Sequence, residues 1–186
     1  MEKKLMFLDV ETGGLDEIND SLLTIGLVYW ENGEIVNGTE ILISLPDYKV
    51  CKRAMDINKI DLNLLRENGC SEVEAINKVN EYCKEHFGVE KVILAGHNVS
   101  FDIAFLRELF RRNNVNYDER FGHRSVDTSS ILKYLYYKGA FKEDISSSDK
   151  AFEYFGIDFE EGKRHSALGD SEATAKLFNK LLKVKK

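Results

Sequence analysis

The chain has 186 residues, 43% apolar and 31% charged, which is enough for one α/β domain with its own core and too few for two ordinary ones. Its net charge is −6, from 26 basic and 32 acidic residues, so little non-specific phosphate attraction is available and a nucleic-acid substrate would have to be gripped locally, at a strand end and through metal ions. The longest apolar stretch, 22–30, is broken by Thr24 and Gly26 and is far too short to span a bilayer; no charged-then-apolar leader follows Met1; and Cys51, Cys70 and Cys83 fit neither a disulfide framework nor a zinc site, so a reducing, cytoplasmic setting with no membrane is expected.

No internal repeat, low-complexity tract or linker interrupts the sequence, and residues 1–186 read as a single domain. Strand-like runs fall at 4–9, 22–30 and 34–44. Glu31-Asn32-Gly33-Glu34 between the last two is a good hairpin turn, so an antiparallel meander is predicted. Residues 71–87 read as a helix with a capping box, Ser71 as N-cap and Glu74 three residues on. A strand at 91–95, a helix at 101–113, a short strand at 125–127 and helices at 129–138, 148–155 and 166–183 follow. Antiparallel strands succeeded by β-α-β-α alternation predict an α/β fold: a mixed five-stranded sheet, three strands antiparallel and then parallel, with helices on both faces.

The most informative segment is Asp9-Val10-Glu11-Thr12-Gly13-Gly14, at the end of the first strand. Two carboxylates two residues apart on a strand share a face. Holding two like charges side by side is costly, and a divalent cation between them is the simplest remedy. Asp102 falls in the first turn of helix 101–113, in line with Leu106 and Leu109, although an N-terminal helix carboxylate is a common feature by itself. Asp170 shares a helix face with Ala173, Leu177 and Leu181, where a charge needs a partner. His165, five residues before it, would sit about 140° round an unbroken helix and is therefore placed on the preceding loop, where a histidine is commonly just solvent-exposed. Asp127 could be a fifth acidic group, but capping of helix 129–138 suits it better. Taken together, Asp9, Glu11, Asp102 and Asp170 all fall at strand or helix ends on inward faces. An all-oxygen ligand set favours Mg²⁺ or Mn²⁺ over zinc. Two such ions about 3.5–4 Å apart suit in-line phosphodiester cleavage.

With these residues in hand, the chain resembles the DEDD superfamily of 3′→5′ exonucleases, in its DEDDh branch, which includes the proofreading epsilon subunit of bacterial DNA polymerase III, ribonuclease T and oligoribonuclease. The family's D-x-E stands as Asp9-Val10-Glu11, the Asp after H-N-x-x-F as His97-Asn98-Val99-Ser100-Phe101-Asp102, and H-x-A-x-x-D as His165-Ser166-Ala167-Leu168-Gly169-Asp170. The sister branch has a tyrosine four residues before the last Asp; here that position is Ser166. The resemblance runs over about 5–182. It implies a ribonuclease H-like fold and two divalent cations. In that scheme Asp9 bridges both ions, Glu11 and Asp170 complete the first, and Asp102 holds the second through water. His165 is the implied general base, a role that suits an imidazole. The backbone of Thr12, Gly13 and Gly14 would meet the terminal 3′-nucleotide, the two glycines allowing close approach, with Leu15 as a wedge against its base. Asn98 and Phe101 are further implied substrate contacts, although a helix aromatic such as Phe101 is more often core than a stacking platform. Lys163 and Arg164 could pair with a phosphate or simply be solvated loop charges.

Implied partners are single-stranded or 3′-terminal nucleic acid and, as in some relatives, a loosely associated replicative polymerase or a second copy in a homodimer. The chain stops just after its last helix, without the C-terminal extension that tethers polymerase-bound members, which favours a stand-alone enzyme or a loose subunit. DNA against RNA depends on contacts to the 2′-position and stays open. A haloacid-type phosphatase would need D-x-D, not Asp9-Val10-Glu11, and no dinucleotide or P-loop glycine motif is present. The alternative from another class is a degenerate exonuclease fold kept as a nucleic-acid or polymerase-binding module; a complete carboxylate set with His165 argues against it.

Overall fold

The computed structural model describes residues 3–159 and 165–184. Its strands are β1 (Lys4–Thr12), β2 (Leu22–Glu31), β3 (Glu34–Leu42), β4 (Val92–Gly96) and β5 (Phe121–Asp127). Its helices are α1 (Lys52–Asn58), α2 (Leu62–Asn68), α3 (Glu72–Phe87), α4 (Ser100–Arg112), α5 (Thr128–Tyr137), α6 (Ser148–Phe155) and α7 (Ala167–Leu181). The strands form one sheet in the order β3-β2-β1-β4-β5; β1–β2 and β2–β3 are antiparallel, β1–β4 and β4–β5 parallel. This is the expected mixed sheet. The β2–β3 hairpin turns at Asn32 and Gly33, both at positive φ (52° and 102°), the backbone of a type I′ turn.

Alternation along β1 sorts the sheet's two faces. Met6, Leu8 and Val10 point into the larger core, against Ala75, Ile76 and Val79 of α3 and Phe105, Leu106 and Leu109 of α4. Leu5 and Phe7 point the other way, with Val28, Trp30 and Ala95, onto Ala175 and Phe178 of α7. The period of two then carries Asp9 and Glu11 to the α7 face. Behind α7, Ala173, Leu177 and Leu181 pack with Leu132 of α5 and Ala151 and Phe152 of α6.

The predicted helices over 71–87, 101–113, 129–138 and 148–155 form within a residue or two of those bounds. The Ser71–Glu74 capping box is made in both directions. Three differences are informative. β1 runs past residue 9 to Thr12, so both carboxylates lie on the strand itself. β5 begins at Phe121, not 125: it is an edge strand with Gly122, His123, Arg124 and Ser125 at or near the surface, so no apolar alternation marks it. Helices α1 and α2 fill a stretch that carries no periodic signal, each seven residues long, with one buried residue apiece.

One close contact sets the position of α7. Gly26 pairs with Asp9 across β1–β2, and a Cβ placed there would lie 2.1 Å from the Ala167 carbonyl oxygen. The first turn of α7 therefore rests directly on the β2 backbone, and Ser171 Oγ donates to the Gly26 carbonyl at 3.1 Å. Gly26→Ala overpacks this contact, a change that costs about 1–3 kcal/mol. At roughly 2–4 °C per kcal/mol for a domain of this size, its Tm falls by several degrees in a thermal melt. An unchanged Tm would show that α7 has slack at this point.

Candidate active site

The site lies at the carboxyl ends of β1 and β4, the edge at which open α/β sheets present their ligands. Asp9 and Glu11 project from β1 toward α7, and Asp170, in the first turn of α7, projects back toward them. Carboxylate oxygens of these three half-buried residues lie within 4.8 Å of one another, the one such cluster of potential ligands among the described residues. The N-terminus of α7, capped by the Ser166 hydroxyl accepting from Gly169 N–H at 3.1 Å, brings its positive dipole end to the cluster. Three oxygen donors with no nitrogen or sulfur fit a hard divalent cation.

Asp102 stands apart from those three. It is 4% exposed, on the opposite face of β1, and its Oδ1 accepts from the Val10 N–H at 2.9 Å. The reason is geometric: β4 pairs with β1 only through Phe7 and ends at Gly96, so the Val10 N–H lies beyond its last ladder partner and the helix side chain satisfies it. Burial pushes the Asp102 carboxyl up to about 8, against the Val10 hydrogen bond, with the nearby Asp127 charge a smaller contribution in the same direction. Like-charge repulsion within a four-carboxylate set is thus not the leading cause of a raised pKa here; desolvation of Asp102 is.

His165 falls where expected, in the turn before the Ser166 cap of α7. Its backbone is left-handed at φ 64°, a conformation that residues other than glycine seldom adopt and that recurs at functional turns. It shares a cavity of about 140 Å³ with Glu11, Thr24, Glu40 and Leu64, and the Thr24 hydroxyl there is buried with no hydrogen-bond partner among the described residues. Lys163 and Arg164 lie outside the described residues.

The Thr12-Gly13-Gly14 turn is tied down on every side. Thr12 Oγ1 donates to Gly14 O at 2.7 Å, Gly13 N–H to Ser21 O at 2.7 Å, and Asn58 of α1 to Thr12 O at 3.1 Å. A Cβ at Gly13 would meet Lys49 O at 2.1 Å, and one at Gly14 would meet the Asp20 carboxylate at 2.0 Å. A side chain at either position would clash within the loop, so the loop's own packing already calls for both glycines. Leu15 beside them is 81% exposed. Phe101 is half-buried and packs on Phe105 with centroids 5.0 Å apart, as its core reading expects.

Asp127 does cap α5, accepting from Ser129 N–H, and it does something sequence reasoning missed. The same oxygen accepts from the N–H of Asn98, which is itself left-handed at φ 59°, so the end of β5 holds the turn that launches α4 and Asp102. Thr128 completes the tie. Its hydroxyl donates to Gly96 O at 3.0 Å, so the His97 Nδ1 that meets the same oxygen at 3.0 Å must be the donor, which fixes the His97 tautomer. The D-T pair after a strand is the only sequence signal for this tie, and it reads equally as an ordinary cap.

A model of the RNase_T family, described as Exonuclease, matches residues 6–178, and the chain belongs to that family, within the DEDD superfamily its three motifs imply. DNA polymerase III PolC-type from Pediococcus pentosaceus is 29% identical over 97% of this chain, and ribonuclease T from Wigglesworthia glossinidia brevipalpis is 28% identical over 92% of it. The chain spans 11% of the polymerase's length and 80% of the ribonuclease's. Among solved structures, the zinc-bound complex of Escherichia coli exonuclease I with single-stranded DNA superposes with a TM-score of 0.82 at 20% identity, covering 99% of this chain and 41% of that one; the likeness shows a common ribonuclease H-like fold.

The buried Asp102 yields a pH test. Its folded pKa lies above its unfolded one, so the native state holds the extra proton between the two values, and stability falls as pH rises from about 4 through about 8. In EDTA, the Tm of the wild type should therefore decline across this window, and that of Asp102→Asn, which keeps an acceptor for Val10, should decline less. Parallel Tm profiles for the two proteins would place the buried charge elsewhere.

Proposed function

We propose that this chain is a single 3′→5′ exonuclease domain that removes nucleotides from single-stranded or frayed DNA or RNA ends and releases nucleoside 5′-monophosphates, with two divalent cations, Mg²⁺ or Mn²⁺. The observation that carries this reading is the convergence of Asp9, Glu11 and Asp170 within 4.8 Å at the end of β1. The all-oxygen donor set supports Mg²⁺ or Mn²⁺. Asp9, Glu11 and Asp170 would hold one ion, and Asp9 the other, with Asp102, behind β1, reaching that second ion through water. When bound, such ions lower the pKa of water and offset charge on a phosphodiester.

The chain's own residues supply the rest. His165 takes a proton from the attacking water as its oxygen joins the terminal phosphorus; the bond from phosphorus to the 3′-oxygen breaks and that oxygen takes a proton from solvent water, leaving a 3′-hydroxyl on the strand and a 5′-phosphate on the released nucleotide. The rigid turn of Thr12, Gly13 and Gly14 offers its backbone to the terminal sugar. Leu15, exposed beside it, wedges against the base, which favours unpaired ends. Asn98 borders the phosphate path, and Phe101 supports the site from below. The PolC-type and ribonuclease T relatives support DNA and RNA substrates respectively, and the former supports association with a replicative polymerase. The free cysteines Cys51, Cys70 and Cys83 support a reducing, cytoplasmic setting.

End-labelled single-stranded DNA and RNA with Mn²⁺ test the reading. The wild type should shorten both or one from the 3′ end and stop in excess EDTA, and His165→Ala should lower the rate by roughly 10²–10⁴-fold while Mn²⁺ still binds. Activity that persists in EDTA, or cleavage confined to internal bonds, contradicts it; binding without any cleavage would favour the degenerate binding module.

A further inference from the structure

We propose that the exposed face of α5 is a second contact surface for single-stranded nucleic acid, one that carries the strand away from the reacting end. Between Asp127 and Glu143 there is no acidic residue, in a chain that has 32 of them. The same stretch holds Lys133, Lys138 and Lys142 and the tyrosines Tyr134, Tyr136 and Tyr137. Lys133 is paired with Asp144; Lys138 and Lys142 are exposed, and the Lys138 ammonium lies 5.6 Å from the Tyr134 ring centre.

Exposure and helix period place the aromatics. Tyr134 is 60% and Tyr137 78% exposed, among the most exposed large rings of the molecule. They lie four and seven residues after Ser130, on one helix face. Ser130 Oγ donates to Asp127 Oδ2, and Asp127 holds Asn98 at the rim of the site, so the stripe begins at that rim. From Ser130 it runs about 10 Å along the helix to Tyr137. Exposed aromatic faces alternating with lysines are the pattern that binds single strands without sequence preference, by stacking and local phosphate attraction. A local surface of this kind answers a difficulty posed by the protein's overall charge: it holds the strand where the chain as a whole would repel it.

This rests on the exonuclease reading, and the test separates the two. Binding is measured in EDTA, where no cleavage occurs, by anisotropy of a labelled thymidine trinucleotide and of an oligothymidylate of about 20 nucleotides, beyond the reach of the site alone. The wild type should bind the long strand more tightly. Tyr134→Ala/Tyr137→Ala should lose at least roughly tenfold of that affinity, as the loss of base stacking predicts, with trinucleotide binding unchanged and the Phe variants restoring it. Lys138→Ala/Lys142→Ala should flatten the salt dependence by about 0.7 per lost phosphate contact. With Mn²⁺, the Ala variant should raise KM for the long strand alone and leave kcat unchanged. A wild type with no length preference, or an Ala variant of wild-type Tm and wild-type affinity, overturns the proposal. So does a face that holds a second copy, seen as a dimer that Tyr137→Ala dissociates with long-strand affinity intact. Length-dependent binding that the Ala variant loses, in a protein that cleaves nothing, upholds the surface and contradicts the nuclease reading.

Discussion

The seating of α7 on the bare backbone of β2 at Gly26 is the contact on which the site depends. Any side chain at this position would hold the helix away from the sheet, and Asp170 with it. Because Gly26 faces Asp9 across the β1–β2 ladder, the glycine lowers the helix onto the strand position next to the first carboxylate. The contact is reinforced by Ser171 on the Gly26 carbonyl and by Leu168 N–H donating to Glu40 of β3 at 3.3 Å. Two layers are thus locked where their facing side chains are acidic, not apolar.

That arrangement runs against folding by itself. Unit charges less than 5 Å apart repel by about 3 kcal/mol per pair at an effective dielectric of about 20. The same β1 segment also places the buried Asp102 behind it, bound to the Val10 N–H. A fold that gathers such groups with packing, capping and a glycine contact is preorganised for a cation, whose binding relieves the repulsion. The opposite side of the site is held with similar care: Asp127 and Thr128 at the end of β5 fix Asn98 and His97, and so the start of α4.

Much of this was legible in the sequence because the relevant signals are local. Strand alternation, the Asn32-Gly33 turn and the Ser71–Glu74 box each require only neighbouring residues. The face shared by Asp9 and Glu11 follows from the strand period, and that of Asp170 from the helix period. What escaped is what only tertiary contact decides. Helices α1 and α2 are too short to display a period and are held by Leu65, Asn58 and their neighbours. β5 is an edge strand whose surface residues hide its pairing. Gly13 and Gly14 read as clearance for a ligand, and that Lys49 and Asp20 also crowd these positions is visible only in the folded loop. Gly26 read only as a break in an apolar run.

On this reading, Asp9, Glu11 and Asp170 hold a divalent cation whose binding stabilises the fold. Thermal melts of wild type and Asp9→Asn, each in EDTA and in Mn²⁺, test it most directly and need no substrate. A cation that binds only the native state contributes RT ln(1 + [L]/Kd), about 2.7 kcal/mol at a hundredfold excess over Kd, so the wild-type Tm should rise by several degrees. Asp9→Asn, with one charge fewer in the cluster, should be at least as stable as wild type in EDTA and should lose most of the Mn²⁺-induced rise. A rise of the same size in Asp9→Asn would mean that the stabilising ion sits elsewhere and would contradict the account.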